Sequence, residues 1–182
     1  MIEFPAVIKD NDLELRHIEA TFDNARVIYD IVERNREYLG EFLDWVKKMN
    51  SPEDEFVWVL NAARDKRDYQ ILVDGVVVGT IGLPKYFPEE NKRWVEIGYL
   101  IDSAFAGRGI MTRCVKLLEN IVFKSNGFDR IQIQADDNNI ASHRVAEKAG
   151  YKLEGILRSY DRMGTKSSGN IRVYSKLKSE WV

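Results

Sequence analysis

Val95-Glu-Ile-Gly-Tyr-Leu-Ile101 opens the stretch that decides the fold, and Ala106-Gly-Arg-Gly-Ile-Met-Thr112 follows after a short polar break. Downstream come Arg130-Ile-Gln-Ile-Gln-Ala135, the polar run Asp136-Asp-Asn-Asn139, and Ile140-Ala-Ser-His-Arg-Val-Ala-Glu-Lys-Ala149 closed by Gly150. The order is strand, glycine loop, helix, strand, polar loop, helix. Ile110, Cys114, Leu117, Leu118, Ile121 and Val122 repeat at the spacing of one buried helical face. The N-terminus of that helix therefore points out of the glycine loop. Gly107 and Gly109 remove the Cβ atoms that would block a phosphate from the backbone amides there, and Arg108 adds a positive charge. Spacing alone leaves a plain tight turn as an equal reading. Two rival phosphate motifs fit poorly: Gly-x4-Gly-Lys-Ser/Thr is absent, and the third glycine of a dinucleotide fingerprint is replaced by Thr112. In the second loop, Asn139 is a helix cap and Ser142 lies on its face one turn on. Both are either structural or ligand-facing, and Asp136 and Asp137 are either a solvated acidic loop or part of the same site.

Outward from this centre, Leu13 to Ile18 alternates apolar and polar and reads as an opening strand. Thr21 and Asp23 are candidate caps for a helix through Val32, and a second helical stretch from Asn35 to Trp45 is interrupted at Gly40. Its aromatics, Tyr38, Phe42 and Trp45, read as core, with a pocket lining as the alternative. Ser51 followed by Pro52-Glu-Asp-Glu55 reads as N-cap, proline at the first helical position and acids facing the helix dipole, for a helix to about Lys66. Asp74-Gly75 divides Tyr69–Val73 from Val76–Leu83, a hairpin signal. Gly79 and Gly82 suggest bulges or close backbone approach. Pro84 to Asn91 reads as a loop, and strands are expected from Lys152 to Arg158 and from Asn170 to Leu177. The expected fold is a single mixed α/β (α+β) domain over residues 1–182, mostly antiparallel early with a central parallel crossover flanked by helices.

Composition narrows the function. The chain has 182 residues, 45% hydrophobic and 31% charged, with net charge −2. That is ordinary globular composition with no overall basic field for nucleic acid, although Arg158, Arg162 and Lys166 could form a local patch. No apolar run reaches the roughly 18–20 residues of a bilayer span, and the N-terminus lacks a secretion signature, so a cytoplasmic location is expected. The single cysteine, Cys114, reads as a core hydrophobe. No Cys/His/acid cluster has metal spacing.

Glu96–Ile101, Ala106–Thr112 and Asn139–Tyr151 together resemble the GNAT superfamily of N-acetyltransferases, and more narrowly its Rim-type branch, whose members acetylate the N-terminal amines of ribosomal proteins. Leu153-Glu-Gly-Ile-Leu-Arg158, Tyr174-Ser-Lys-Leu177, Glu180-Trp181 and the opening strand ending in Arg16 extend the likeness over nearly the whole chain. The resemblance implies acetyl-CoA, with its pyrophosphate on the amides of Gly107, Arg108, Gly109, Ile110, Met111 and Thr112. It implies pantetheine beside Tyr99, Leu100 and Ile101, where family strands splay apart, and Asn139 and Ser142 on the same ligand. The implied reaction is direct attack of a primary amine on the thioester. The acceptor is expected to be a protein N-terminal α-amine, with a small-molecule amine or a non-catalytic acyl-CoA-binding module as alternatives. Ser142 is the candidate proton donor to the departing thiolate, Asp161 the candidate base, and Glu96 a second base acting through water. The chain departs from the pattern at Ala104, where relatives carry Gln or Arg, and at Met163-Gly164 and Asn170 in the last loop. A homodimer is compatible with the resemblance.

Overall fold

The computed structural model describes residues 3–89 and 92–181. Eight strands form one sheet in the order β1-β2-β3-β4-β5-β6-β8-β7. They are β1 Val7–Asp10, β2 Leu13–His17, β3 Asp68–Val73, β4 Val76–Glu89, β5 Lys92–Ile101, β6 Arg130–Asp136, β7 Lys152–Leu157 and β8 Ile171–Leu177. The only parallel pairing among the described residues is β5 with β6, and every other neighbour is antiparallel. The helices are α1 Phe22–Arg34, α2 Arg36–Gly40, α3 Pro52–Asp65, α4 Ile110–Lys124 and α5 Ile140–Lys148.

Local chemistry sets the helix boundaries. Thr21 accepts from the Asn24 amide to start α1, and Ser51 accepts from the Asp54 amide to start α3, with Pro52 at its first position. Gly40 ends the second helical stretch as expected: α2 stops there, and the residues on towards Trp45 enter a separate 3-10 turn over Asp44–Lys48. A four-residue edge strand, β1, precedes the expected opening strand. The expected loop from Pro84 is strand as far as Glu89, and Asn91 lies outside the described residues. Pro84 is tolerated because the register slips between Gly82 and Lys85, so Leu83 and Pro84 face the single Ile97 across a bulge. The close approach read into the glycines of this strand is real: a Cβ at Gly79 would meet the Leu100 carbonyl at 2.3 Å, and one at Gly82 would meet Asp68 Oδ1 at 1.8 Å.

The sheet carries helices on both faces. Val95, Ile97, Ile131 and Ile133 pack with Cys114, Leu118 and Ala146 of α4 and α5. On the opposite face Ile28 and Val59 join α1 to α3, and Ile31 and Val46 pack with Leu100. Cys114 is fully buried, and burial pushes its thiol up to about 12, the behaviour of a core hydrophobe. Among the described residues no helix is long and apolar enough to cross a membrane.

Candidate active site

The sheet parts at its centre. Among the described residues β5 and β6 pair only at Trp94 with Arg130, Val95 with Ile131 and Glu96 with Gln132. Beyond that last rung β5 runs on to Ile101 and β6 to Asp136 with no pairing between them, so the facing backbone groups of Ile97–Ile101 and Ile133–Asp136 border a wedge. The split is stable because β6 keeps a full ladder to β8 on its other side, from Arg130–Leu177 to Asp136–Ile171.

At the mouth of the wedge lies the glycine loop. Gly107 and Gly109 both have positive φ, 75° and 79°, and Gly109 is the N-cap of α4. A Cβ at either position would meet no protein atom within 4 Å. The first bond into the helical ladder runs from the Arg113 amide to the Gly109 carbonyl at 3.2 Å, so the preceding amides have no helical acceptor. The loop is held from below. Asn35 accepts from the Ser103 amide at 3.0 Å and its hydroxyl at 2.6 Å, and Arg34 pairs with Asp102 at 2.7 Å. Arg113 pins the first turn of α4 to Asp10 at 3.1 Å and Asp12 at 2.8 Å. The exposed Arg108 guanidinium stands 5.3 Å from the centre of the Phe105 ring.

Across the wedge, the Tyr99 and Ser142 hydroxyls are 2.8 Å apart. Ser142 belongs to the first turn of α5, and its amide donates to Asn139 Oδ1 at 3.1 Å. Asn139 is therefore a true helix cap, whereas Ser142 is no exposed first-turn serine: it is 9% exposed and spoken for by Tyr99. Burial pushes the Tyr99 phenol up to about 12, against a smaller downward pull from Ser142. It stays protonated at neutral pH and can donate. The sequence points to Tyr99 only through its strand backbone and not through its hydroxyl, although Tyr99 lies on the Val95–Ile97 side of an alternating strand.

The expected acids fare differently. Glu96 sits on the last paired rung, where its Oε2 accepts from Lys85 at 3.0 Å and Gln132 at 2.9 Å. Asp161 is exposed in the loop 158–170, and among the described residues its carboxylate makes no hydrogen bond or ion pair. Asp136 is 1% exposed. Burial works to raise its pKa, but hydrogen bonds from Ser167, the Asn138 amide and Ser168 outweigh it and hold the carboxyl below the usual range. Asp137 pairs with Arg172 at 2.5 Å. These two acids fasten the last loop and β8 to the end of β6. That loop also docks on α2, with the Thr165 amide on the Gly40 carbonyl at 3.0 Å, and Lys166 pairs with Glu41 at 2.5 Å instead of joining a free basic patch.

The parting of β5 from β6, the glycine-capped α4 at its mouth and the Asn139 cap opposite are the features that the resemblance to N-acetyltransferases implies. The sequence profile of the acetyltransferase (GNAT) domain matches residues 12–152, and the chain belongs to that family, the acetyl-CoA-dependent N-acetyltransferases. It is 31% identical over 130 residues to a probable N-acetyltransferase, YjcK, of Bacillus subtilis, covering 71% of this chain and 64% of that one. It is 24% identical over 160 residues to a ribosomal-protein-serine acetyltransferase of Escherichia coli, covering 85% and 88%. In fold it superposes with TM-score 0.85 on RimL, a ribosomal L7/L12 alpha-N-protein acetyltransferase in complex with coenzyme A, at 22% identity over 96% of this chain and 99% of that one.

Open space above two positive-φ glycines, at the start of a 15-residue helix, fits the pyrophosphate of acetyl-CoA.

Proposed function

We propose that this chain transfers the acetyl group of acetyl-CoA to a primary amine, a protein N-terminal α-amine, in the wedge between β5 and β6. The observation that carries the reading is the Tyr99–Ser142 hydroxyl pair, which joins β5 to the first turn of α5 where the pairing of β5 with β6 has ended. The names of the relatives, a ribosomal-protein-serine acetyltransferase and a putative ribosomal N-acetyltransferase of Bacillus subtilis, favour the α-amine acceptor.

Acetyl-CoA supplies an acetyl thioester, whose C–S bond breaks as the amine forms the N–C bond. The amides of Gly107–Thr112 hold the phosphates, and Asn139 keeps α5 in place so that Ser142 faces the wedge. Unpaired amides along Tyr99–Ile101 offer hydrogen bonds to a developing oxyanion. Ser142 gives its proton to the sulfur side and is resupplied by the Tyr99 phenol, which regains a proton from solvent as the base releases the one taken from the amine. An α-amine, with a pKa of about 7.7–8.0, is already partly neutral near pH 7 and asks little of a base. Asp161 and Glu96 are the proposed bases. Glu96 must release Lys85 or act through water, and Asp161 must reach in from its loop.

The test measures thiol release from acetyl-CoA with N-terminal peptides, lysine side-chain peptides and polyamines as acceptors. Preference for N-terminal peptides supports the reading. Equal or better use of polyamines moves the acceptor to a small molecule, and binding of acetyl-CoA without turnover reduces the chain to an acyl-CoA-binding module. Asp161→Asn and Glu96→Gln are compared in the same assay, and unchanged kcat removes that acid from the reaction.

A further inference from the structure

On the face of the sheet covered by α1 and α3 lies a cavity of about 390 Å³, bordered by Gly98, Tyr99 and Leu100. This is the part of β5 that β6 has left. Tyr99 thus touches both compartments, its hydroxyl against Ser142 and its residue in the cavity wall. Leu43, Trp45, Met49 and Trp58 make most of the remaining wall apolar. The volume is that of pockets enclosing a small organic group, and a short polar side chain would leave these aromatics uncovered.

Two carboxylates interrupt the apolar wall. Glu55 is 3% exposed, and its Oε2 has no hydrogen-bond partner among the described residues. It falls at i, i+4, i+7 with Val59 and Ala62, on the inward stripe of α3. Asp68 lies over Gly82, close enough that only a glycine fits beneath its carboxylate. Its neighbour Arg67 is turned to Asp65 at 2.6 Å and to the face of Tyr86. Burial pushes Glu55 up to about 7 and Asp68 up to about 6, the second partly offset by Arg67. Acids set against an apolar wall, one of them buried without a partner, are costly unless a cation meets them.

Resting on the reading of this chain as an amine acetyltransferase, we propose that the cavity is the acceptor subsite and takes a primary amine carried on a bulky apolar or aromatic body. Glu55 and Asp68 receive the ammonium, and the body lies against Trp45, Met49 and Trp58. The same chemistry comes from two sources: the first residue of a polypeptide beginning with Phe or Leu, or a free amine such as phenethylamine.

The experiment has a kinetic and a binding arm, both on the full chain. Peptides differing only in their first residue (Phe, Leu, Ser, Ala), and free phenethylamine, are compared as acceptors. The Phe peptide or phenethylamine should exceed the Ser and Ala peptides at least tenfold in kcat/KM. Use of the peptide alone assigns the subsite to a polypeptide N-terminus, and use of the free amine alone to a small molecule. In calorimetric titrations, Glu55→Gln should weaken binding of the favoured amine tenfold or more while leaving acetyl-CoA affinity unchanged, which also reports that the variant is folded. Asp68→Asn should act in the same direction and carries the test if Glu55→Gln does not fold. Preference for Ser or Ala peptides, or amine binding unaffected by both substitutions, overturns the proposal while leaving the enzyme reading intact. If no amine is acetylated the enzyme reading fails, and the titrations still decide whether the cavity binds such amines.

Discussion

The hydroxyls of Tyr99 and Ser142, 2.8 Å apart, join α5 to a strand that has lost its neighbour. If Ser142 passes its proton to the leaving sulfur, Ser142→Ala should lower kcat by about a hundredfold, the usual worth of one positioned acid. KM for acetyl-CoA should hardly move, because Asn139 still caps α5. Tyr99→Phe removes only the resupplying hydrogen bond and should cost about tenfold, equivalent to roughly 1.4 kcal/mol. Steady-state kinetics of the two variants checks both values, and wild-type kcat for Ser142→Ala would remove it from the reaction. Glu55 supports a prediction about stability instead. Its pKa rises from 4.5 unfolded to about 7 folded, so the folded state holds the proton more tightly. Stability from this group is therefore greatest below pH 4.5 and is lost as pH rises towards 7. Glu55→Gln should stabilise the protein by on the order of 2–3 kcal/mol at pH 8 and by almost nothing at pH 4.5. Thermal melts at the two pH values read the difference directly, and equal shifts at both would show that Glu55 is not a strained acid.

At the scale of elements, the first turn of α4 offers the sharpest test of the phosphate seat. Gly109 has φ 79° and nothing within 4 Å of a built Cβ, so Gly109→Ala meets no clash inside the protein. The strain of a left-handed alanine costs about 1–2 kcal/mol of stability. A phosphate resting on those amides would meet the new methyl group, so KM for acetyl-CoA should rise tenfold or more with kcat little changed; an unmoved KM would place the phosphates elsewhere. The sequence made this turn and its helix readable because the cues are local: paired glycines, a buried stripe, a cap. Ser51-Pro52 marked the start of α3 in the same way. Long-range register was not readable. Pro84 looked like a strand end because its bulge depends on which residue of β5 stands opposite. The parting of β5 from β6 after Glu96 has no local signature and was reached only through family resemblance. Glu55 does stand in the acidic first turn of α3, and its spacing to Val59 and Ala62 also puts it on the inward face, a second consequence of the same local pattern. Asp136 illustrates the converse, an acid engaged by serines 31 and 32 residues away in sequence that no spacing could forecast.

For the whole molecule, the wedge divides a continuous sheet into two ladders that, among the described residues, pair with each other at three β5–β6 rungs. The ladder β1–β5 carries α1 to α3, and the ladder β6–β8–β7 lies on the other side of the gap. Asn35 and Arg113 tie the glycine loop to α1 and to the β1–β2 turn, while the Tyr99–Ser142 pair is a direct side-chain link from β5 to α5. Acetyl-CoA, seated on the α4 amides and lying along Tyr99–Ile101 towards Ser142, would contact both halves at once. None of these contacts exists in an unfolded chain, so binding must raise stability by mass action. At one hundred times Kd the gain is about 2.7 kcal/mol. In a domain of this size that corresponds to a rise in Tm of about 5–10 °C. Inorganic pyrophosphate occupies only the helix end and should give a smaller shift, because it cannot reach across the wedge. Gly109→Ala should reduce the shift from both ligands, whereas Ser142→Ala should leave most of it. Melts with each ligand over a concentration series test the arrangement without requiring turnover. No shift with acetyl-CoA would remove the wedge as its site, and equal shifts from both ligands would confine binding to the glycine loop.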